Sequence, residues 1–204
     1  MHYIDGEWVQ PDAGRYDVIN PATGKVIAAA PDASPTQVQT AIEAARRAFD
    51  SGPWSTAEPS ERARCLRQLS SALLDASSET FELAQAEWGC TANERLIQVD
   101  GPAFMAGRAA ELALEPAEAP MDAWGAGGTT LLRYEPVGVV AAMTPWNFPH
   151  TLNVMKLGTA LAAGNTLVLK PSPLTPLAGL AFALIIDEHT DRLLAAKRLR
   201  RVLP

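Results

Sequence analysis

Two apolar runs separated by a helix-period segment constrain this chain more than anything else in it. Val137-Gly138-Val139-Val140-Ala141-Ala142 leads into a polar-aromatic loop, Thr144 to Pro149, and a helical segment then runs to Ala163. Gly164 stops that segment, and Thr166-Leu167-Val168-Leu169 follows and closes on Lys170. Strand, loop, helix and strand within roughly 30 residues or a little more make a βαβ unit. The pattern predicts adjacent parallel strands over 137–142 and 165–170, with a right-handed crossover helix over about 153–163. Neither run alternates apolar with polar, so both strands are expected to be buried on two faces. Ligands of open parallel sheets sit outside the carboxyl ends of the strands. Asn147, just past the first strand, and Lys170, at the end of the second, fall together on that rim.

On residue chemistry alone, each of these groups has an ordinary reading beside a functional one. Asn147 could cap the helix, Lys170 could end a strand, and Trp146 could pack in the core. The motifs that carry them are Thr-Pro-Trp-Asn-Phe-Pro (144–149) and Ala-Leu-Ala-Ala-Gly-Asn-Thr-Leu-Val-Leu-Lys-Pro-Ser (160–172). In content, order and separation this pair resembles the NAD(P)-dependent aldehyde dehydrogenase superfamily. The resemblance covers about residues 4–191. It implies an α/β fold, an incomplete aldehyde-dehydrogenase-like, Rossmann-type cofactor domain with amino-terminal helices and short strands. Residues 1–120 would be the amino-terminal strands and helices of that domain. Residues 121–135 would be a strand segment of the kind through which family members associate, and 136–191 the first βαβα part of the dinucleotide-binding fold.

The resemblance also implies chemistry. A thiolate attacks the aldehyde carbon, and an amide aimed at the oxygen stabilises the charge that appears there. Asn147 is the residue it assigns to that role, and Lys156 matches a lysine near the family's active site. NAD or NADP would lie against Thr144, Pro145, Trp146, Lys170 and Ser172, with Lys170 suited to hydrogen-bond the adenosine ribose. Many family members carry a glutamate at the position of Pro173, where it favours NAD; Pro173 offers no acceptor, which leaves NAD and NADP open. The family's nucleophile and general base are not expected in these residues. Neither is the helix whose amino terminus holds the pyrophosphate. The partner implied is an aldehyde substrate, with association into a homo-oligomer through 121–135; the alternative reading is a non-catalytic fragment or a subunit that associates with an intact aldehyde dehydrogenase.

Composition supports a folded, soluble chain, with 48% hydrophobic and 20% charged residues. A net charge of -6 argues against a nucleic-acid partner. The longest apolar run, Leu177 to Ile186, is too short to span a bilayer, and the amino terminus lacks a secretory pattern, so a cytoplasmic setting is expected. The two cysteines, Cys65 and Cys90, form neither a disulfide framework nor a metal cluster. Cys65 is read in mid-helix, with the Arg64 and Arg67 side chains on other faces, and Cys90 beyond a helix stop beside Glu87 and Glu94. Neither setting makes a reactive thiolate.

Turn signals at Asp5-Gly6 and Asn20-Pro21 through Lys25 predict short strands in the first thirty residues. Ser34, Pro35 and Gln37 predict a capping box opening a helix with Val38, Ile42, Ala45 and Phe49 on its inner face. Further helices are expected from Ser60, with Leu66, Leu69 and Leu73 inward, and from Ser78 to Gly89. Another covers Asn93 to Glu115, which Pro102 must start, kink or break. Gly125 to Gly128 reads as a turn and Thr129 to Tyr134 as a strand. The apolar helix over 177–186 needs cover on several sides, and that cover is expected to be missing. From Asp191 onward the basic run through Arg201 departs from the family pattern. A shifted frame or truncation would produce this, with a basic interaction tail over 192–204 as the alternative.

Overall fold

The computed structural model describes residues 1–122 and 129–189. The expected turn at Gly125 to Gly128 and the basic tail over 192–204 lie outside the described residues. Four two-stranded sheets and six α-helices alternate with short turns among those residues.

The amino-terminal part forms two antiparallel hairpins. Strand β1 (His2–Ile4) pairs with β2 (Glu7–Val9) around Asp5, whose φ of 55° and the φ of 78° at Gly6 give the left-handed turn that the Asp-Gly pair predicts. Strand β3 (Arg15–Ile19) pairs with β4 (Val26–Pro31) across the Asn20 turn. Asn20 Oδ1 accepts the N–H groups of Ala22 and Thr23 there.

Helix α1 (Pro35–Ser51) starts where expected, but its capping box is only half made. The Gln37 N–H donates to Ser34 Oγ at 3.2 Å. Gln37 does not return to the Ser34 N–H, because Asp12 takes that donor at 2.8 Å. The Gln37 amide turns instead to the Gln10 carbonyl at 2.8 Å. The predicted inner face of α1 is also corrected: Val38 and Ile42 are exposed, and the buried residues are Ala44 and Ala45.

Helix α2 (Pro59–Asp75) buries Ala63, Leu66, Leu69, Ala72 and Leu73, the expected leucine face widened by alanines. Helix α3 (Ser77–Trp88) ends at Gly89, whose φ of 77° is the left-handed stop that glycine permits. The next segment is not one helix. A 3₁₀ turn (Ala92–Glu94) is followed by a π turn (Leu96–Asp100), and only then by α4 (Gly101–Leu112). Pro102 is the physical cause. It has no N–H to give the carbonyl four residues back, and its ring crowds that carbonyl, so a regular helix cannot pass through. The widened turn closes instead by Gly101 N–H to Leu96 O, and Pro102 sits in the first turn of α4.

Strand β5 (Glu118–Asp122) pairs antiparallel with β6 (Thr129–Arg133). Only β6 is legible locally, since Pro120 lies in the middle of β5 and removes a ladder donor. Strand β7 (Val139–Met143) and β8 (Thr166–Lys170) are parallel and adjacent, from Val139 opposite Thr166 to Met143 opposite Lys170. Helix α5 (Pro149–Ala162) joins them and begins four residues before the expected start, because Pro149 fits the first helical turn. The two strands are not buried on both faces throughout. Ala142 and Thr166 are buried, whereas Ala141 and Met143 are exposed, since among the described residues this sheet is only two strands wide. Successive side chains of β8 take opposite faces. Thr166 Oγ1 donates to the Ala45 carbonyl of α1, and Leu167 packs on the main core.

That core gathers Leu69, Leu73, Ala103, Ala106, Val154, Leu157, Phe182 and Ile185 from α2, α4, α5 and α6 (Pro176–His189). The expectation that α6 lacks cover is therefore overturned. No residue from Pro176 to Glu188 is exposed, because α2, α3 and α5 pack around the helix and β1 meets it too. Asp187, buried in α6, accepts Trp8 Nε1–H at 2.9 Å and the Tyr3 hydroxyl at 3.3 Å, which pins the first hairpin on this helix. No helix among the described residues is long and apolar enough to cross a membrane.

Candidate functional site

The carboxyl ends of β7 and β8 make the rim that the βαβ pattern predicts. The Thr144 N–H extends the ladder by one bond, donating to the Lys170 carbonyl at 3.2 Å. Beyond it, Pro145, Trp146, Asn147 and Phe148 are exposed, and α5 turns back into the fold. Trp146 is 55% exposed, so it is not a core residue. Asn147 does not cap α5 either. The cap position is Phe148, without a side-chain bond, and the Asn147 amide makes no side-chain hydrogen bond among the described residues. Asn147 is exposed, so its N–H donors are open to solvent.

Lys170 is exposed at the end of β8, where its ammonium donates to the Pro171 carbonyl at 3.3 Å. Ser172 is half-buried, and its Oγ accepts the Leu174 N–H at 3.2 Å, so that hydroxyl serves the turn between β8 and α6. Thr144 is buried, and its hydroxyl donates to Asn153 Oδ1 at 2.7 Å. The rim thus brings Asn147, Trp146, Pro145 and Lys170 to one edge and commits the Thr144 and Ser172 side chains to holding it. Lys156 is set back: seven residues into α5 is about 10 Å of helix. Its side chain is exposed, and helical side chains lean toward the amino terminus, here toward the rim.

Three buried polar residues support this rim. Asn153 takes the Thr144 hydroxyl, and its own Nδ2 has no partner among the described residues. Gln98, in the π turn, donates from Nε2 to the Asn147 carbonyl at 3.3 Å. Glu87, on α3, accepts the N–H groups of Leu177 at 2.6 Å and Ala178 at 3.0 Å with its two carboxyl oxygens. Sequence reasoning gave none of the three a supporting role, and named Glu87 only as a neighbour of Cys90. The one available signal was a polar residue at an inward helical position, which periodicity alone does not separate from a helix edge.

Glu87 also decides what the first turn of α6 can do. The open N–H groups of a helix amino terminus attract anions. Here two of them already hold a carboxyl group of this chain, so this terminus presents no phosphate site. The turn before it is clamped: a Cβ on Gly179 would lie 2.6 Å from Pro171 Cγ, so only glycine lets α6 approach the residue after Lys170 so closely.

Burial pushes the Glu87 carboxyl up to about 8 from an ordinary 4.5, against the opposing pull of the two backbone donors. The native state therefore holds a proton that the unfolded chain has released across that interval. The stability contributed is complete below about 4.5 and is lost as pH rises through about 8. Glu87→Gln keeps the shape and removes the titration. Between pH 5 and 8 the wild-type chain should lose stability relative to this variant, as read by urea unfolding across pH. A wild type that gains relative stability over that range would mean that the donors outweigh burial.

Neither thiol is activated. Burial raises the Cys90 pKa and Glu94 adds to it. Burial also raises that of Cys65, with Glu61 adding to the rise, although Arg64 opposes it. Contrary to expectation, Arg64 does reach this sulfur, at 3.7 Å, while also bonding Glu61. His150 is buried between Trp88 and Phe182 with both ring nitrogens unpartnered, and burial lowers its pKa to about 3, so it stays neutral. No group of metal-ligating side chains occurs among the described residues.

Known proteins share this sequence pattern and fold. The model of the aldehyde dehydrogenase family matches residues 8–191. The chain is 34% identical over 186 residues to 3-sulfolactaldehyde dehydrogenase of Pseudomonas putida, which takes in 91% of this chain and 38% of that protein. It is 33% identical over 191 residues to betaine aldehyde dehydrogenase of Bacillus subtilis, with the same coverage of each. The crystal structure of betaine aldehyde dehydrogenase from Staphylococcus aureus in complex with NAD+ superposes with a TM-score of 0.84 at 32% identity, over 90% of this chain and 37% of that one. The chain thus spans about 38% of the length of these curated relatives.

Proposed function

The chain belongs to the aldehyde dehydrogenase family, and from that premise we propose that it carries the oxyanion donor and the adenosine side of a site that oxidises an aldehyde to a carboxylic acid with NAD or NADP. The single observation behind this reading is the rim: an unbonded Asn147 amide and the Lys170 ammonium stand at the ends of two adjacent parallel strands. Bound NAD(P)+ would supply the hydride acceptor. Trp146 and Pro145 offer an exposed apolar wall beside it, and the Lys170 ammonium has donors to spare for ribose hydroxyls. The residues present fit that half of the cofactor. They do not supply a pyrophosphate cradle at α6, since Glu87 fills it. Asn147 would donate its amide N–H to the aldehyde oxygen as charge develops, and Lys156 would contribute a positive charge behind it.

We read residues 1–120 and 136–191 as parts of one cofactor domain and 121–135 as an oligomerisation segment. Support for the segment comes from the β5–β6 hairpin, where Met121, Leu131 and Tyr134 stand exposed at 45%, 54% and 66%. Two free cysteines suit a reducing, cytoplasmic setting.

The test is calorimetric titration of the chain with NAD+ and NADP+. With the ribose side present and no pyrophosphate cradle among the described residues, the dissociation constant is expected to be on the order of millimolar, about 4 kcal/mol of binding. Lys170→Met should abolish the signal. Micromolar binding, or binding indifferent to Lys170→Met, would overturn this assignment of the rim.

A further inference from the structure

Stability does not account for the residue at position 98, Gln98. It is 1% exposed in a helix seam, yet it is polar, and its Oε1 has no hydrogen-bond partner among the described residues. A buried acceptor left unpaired opposes folding, and an apolar side chain of the same length would fill the seam without that cost. What Gln98 does make is one long-range bond, from Nε2 to the backbone carbonyl of Asn147. We infer that Gln98 is a positioning residue for Asn147, holding the backbone from which the oxyanion donor projects; this rests on the reading of Asn147 given above.

The surrounding geometry carries the inference. From Pro145 to Phe148 the loop is exposed, α5 has no side-chain cap, and the Asn147 amide itself is unbonded. The loop is tied at its ends by Thr144 to Asn153 and by the Thr151 hydroxyl to the Ile97 carbonyl at 2.7 Å. Between those ties, the Gln98 bond is the one side-chain hydrogen bond to the Asn147 backbone among the described residues. Both Ile97 and Gln98 belong to the π turn that Pro102 forces open. A regular helix would rotate Gln98 away, since each residue advances by about 100°. Single π turns inside helices occur often at functional sites. A donor that stabilises developing charge acts through being aimed in advance, so an exposed loop that presents one needs a fixed point.

The experiment uses the whole chain, labelled with ¹⁵N-asparagine, and reads the order parameter of the Asn147 backbone N–H. Gln98→Met keeps length and burial and removes the bond. The expected result is a fall of the Asn147 order parameter from a rigid value to below about 0.6, with a melting temperature unchanged or raised. Thr151→Val, which removes the neighbouring tie but not the Gln98 bond, should leave Asn147 ordered. An Asn147 that stays ordered in Gln98→Met, or loses order equally in Thr151→Val, overturns the proposal. Should Gln98→Met not fold, Gln98→Glu answers the same question. The carboxyl it introduces donates to the Asn147 carbonyl only when protonated, so Asn147 order should rise as pH falls, and an order independent of pH overturns the proposal. None of these readouts needs turnover or cofactor. Failure here therefore leaves the rim assignment standing, and failure of the titrations leaves the Gln98 bond measurable.

Discussion

Assayed by itself, the 204-residue chain is expected to give no aldehyde-dependent NAD(P)H signal. The family's chemistry needs a thiolate, an oxyanion donor, a base and a positioned nicotinamide at one place. On the reading proposed above, the described residues offer the second, Asn147, and part of the fourth, Trp146 and Lys170. Cys90 is 4% exposed, and its thiol is pushed toward the protonated form by burial and Glu94. Cys65 lies in mid-α2, and burial with Glu61 outweighs its contact with Arg64. An oxyanion donor contributes roughly 3 to 4 kcal/mol when a nucleophile generates the charge. Without a thiolate that charge does not form, and the donor has nothing to act on. The check is NAD(P)H absorbance with a panel of aldehydes. If a signal appears, Cys65→Ser and Cys90→Ser decide its origin. Loss with either one would refute the reading of that thiol as inert, and retention with both would identify a contaminating enzyme.

The largest expected effect on stability belongs to Phe182→Ala. Phe182 is 1% exposed and packs at the centre of the core shared by α2, α4, α5 and α6, with its ring 5.5 Å from His150. Removing a fully buried ring costs about 3–5 kcal/mol, from lost transfer energy and from the cavity left behind. That is a large share of the roughly 5–15 kcal/mol by which a domain is stable. The loss should also reach His150, whose packing partner disappears, and through it the first turn of α5. Denaturant unfolding of the variant measures the change. A cost below about 1 kcal/mol would mean that α6 is not docked as described, and the cover found around it would be in error.

The βαβ unit was legible because its signals are local. Two β-rich apolar runs, a glycine stop and a helix-period segment need no distant partner to be read, and the rim follows from strand polarity. The placement of Asn147 and Lys170 on that rim was legible for the same reason, each being a polar residue that follows or ends an apolar strand. The leucine face of α2 and the left-handed stop at Gly89 were equally plain. Strand β5 was not, because Pro120 opposes the assignment until β6 supplies the pairing.

What the sequence by itself determined, then, is the local geometry and the pair of groups that the rim presents. Only tertiary structure decided which polar residues hold that rim. Glu87 looks like one more charge on a helix until α6 arrives with two N–H groups for it. Gln98 looks like a helix-edge amide until the π turn rotates it against the Asn147 carbonyl. The physical reason is common to both. Hydrophobic periodicity reports which side of an element faces the core, whereas the partner of a buried polar group is fixed by how separate elements meet.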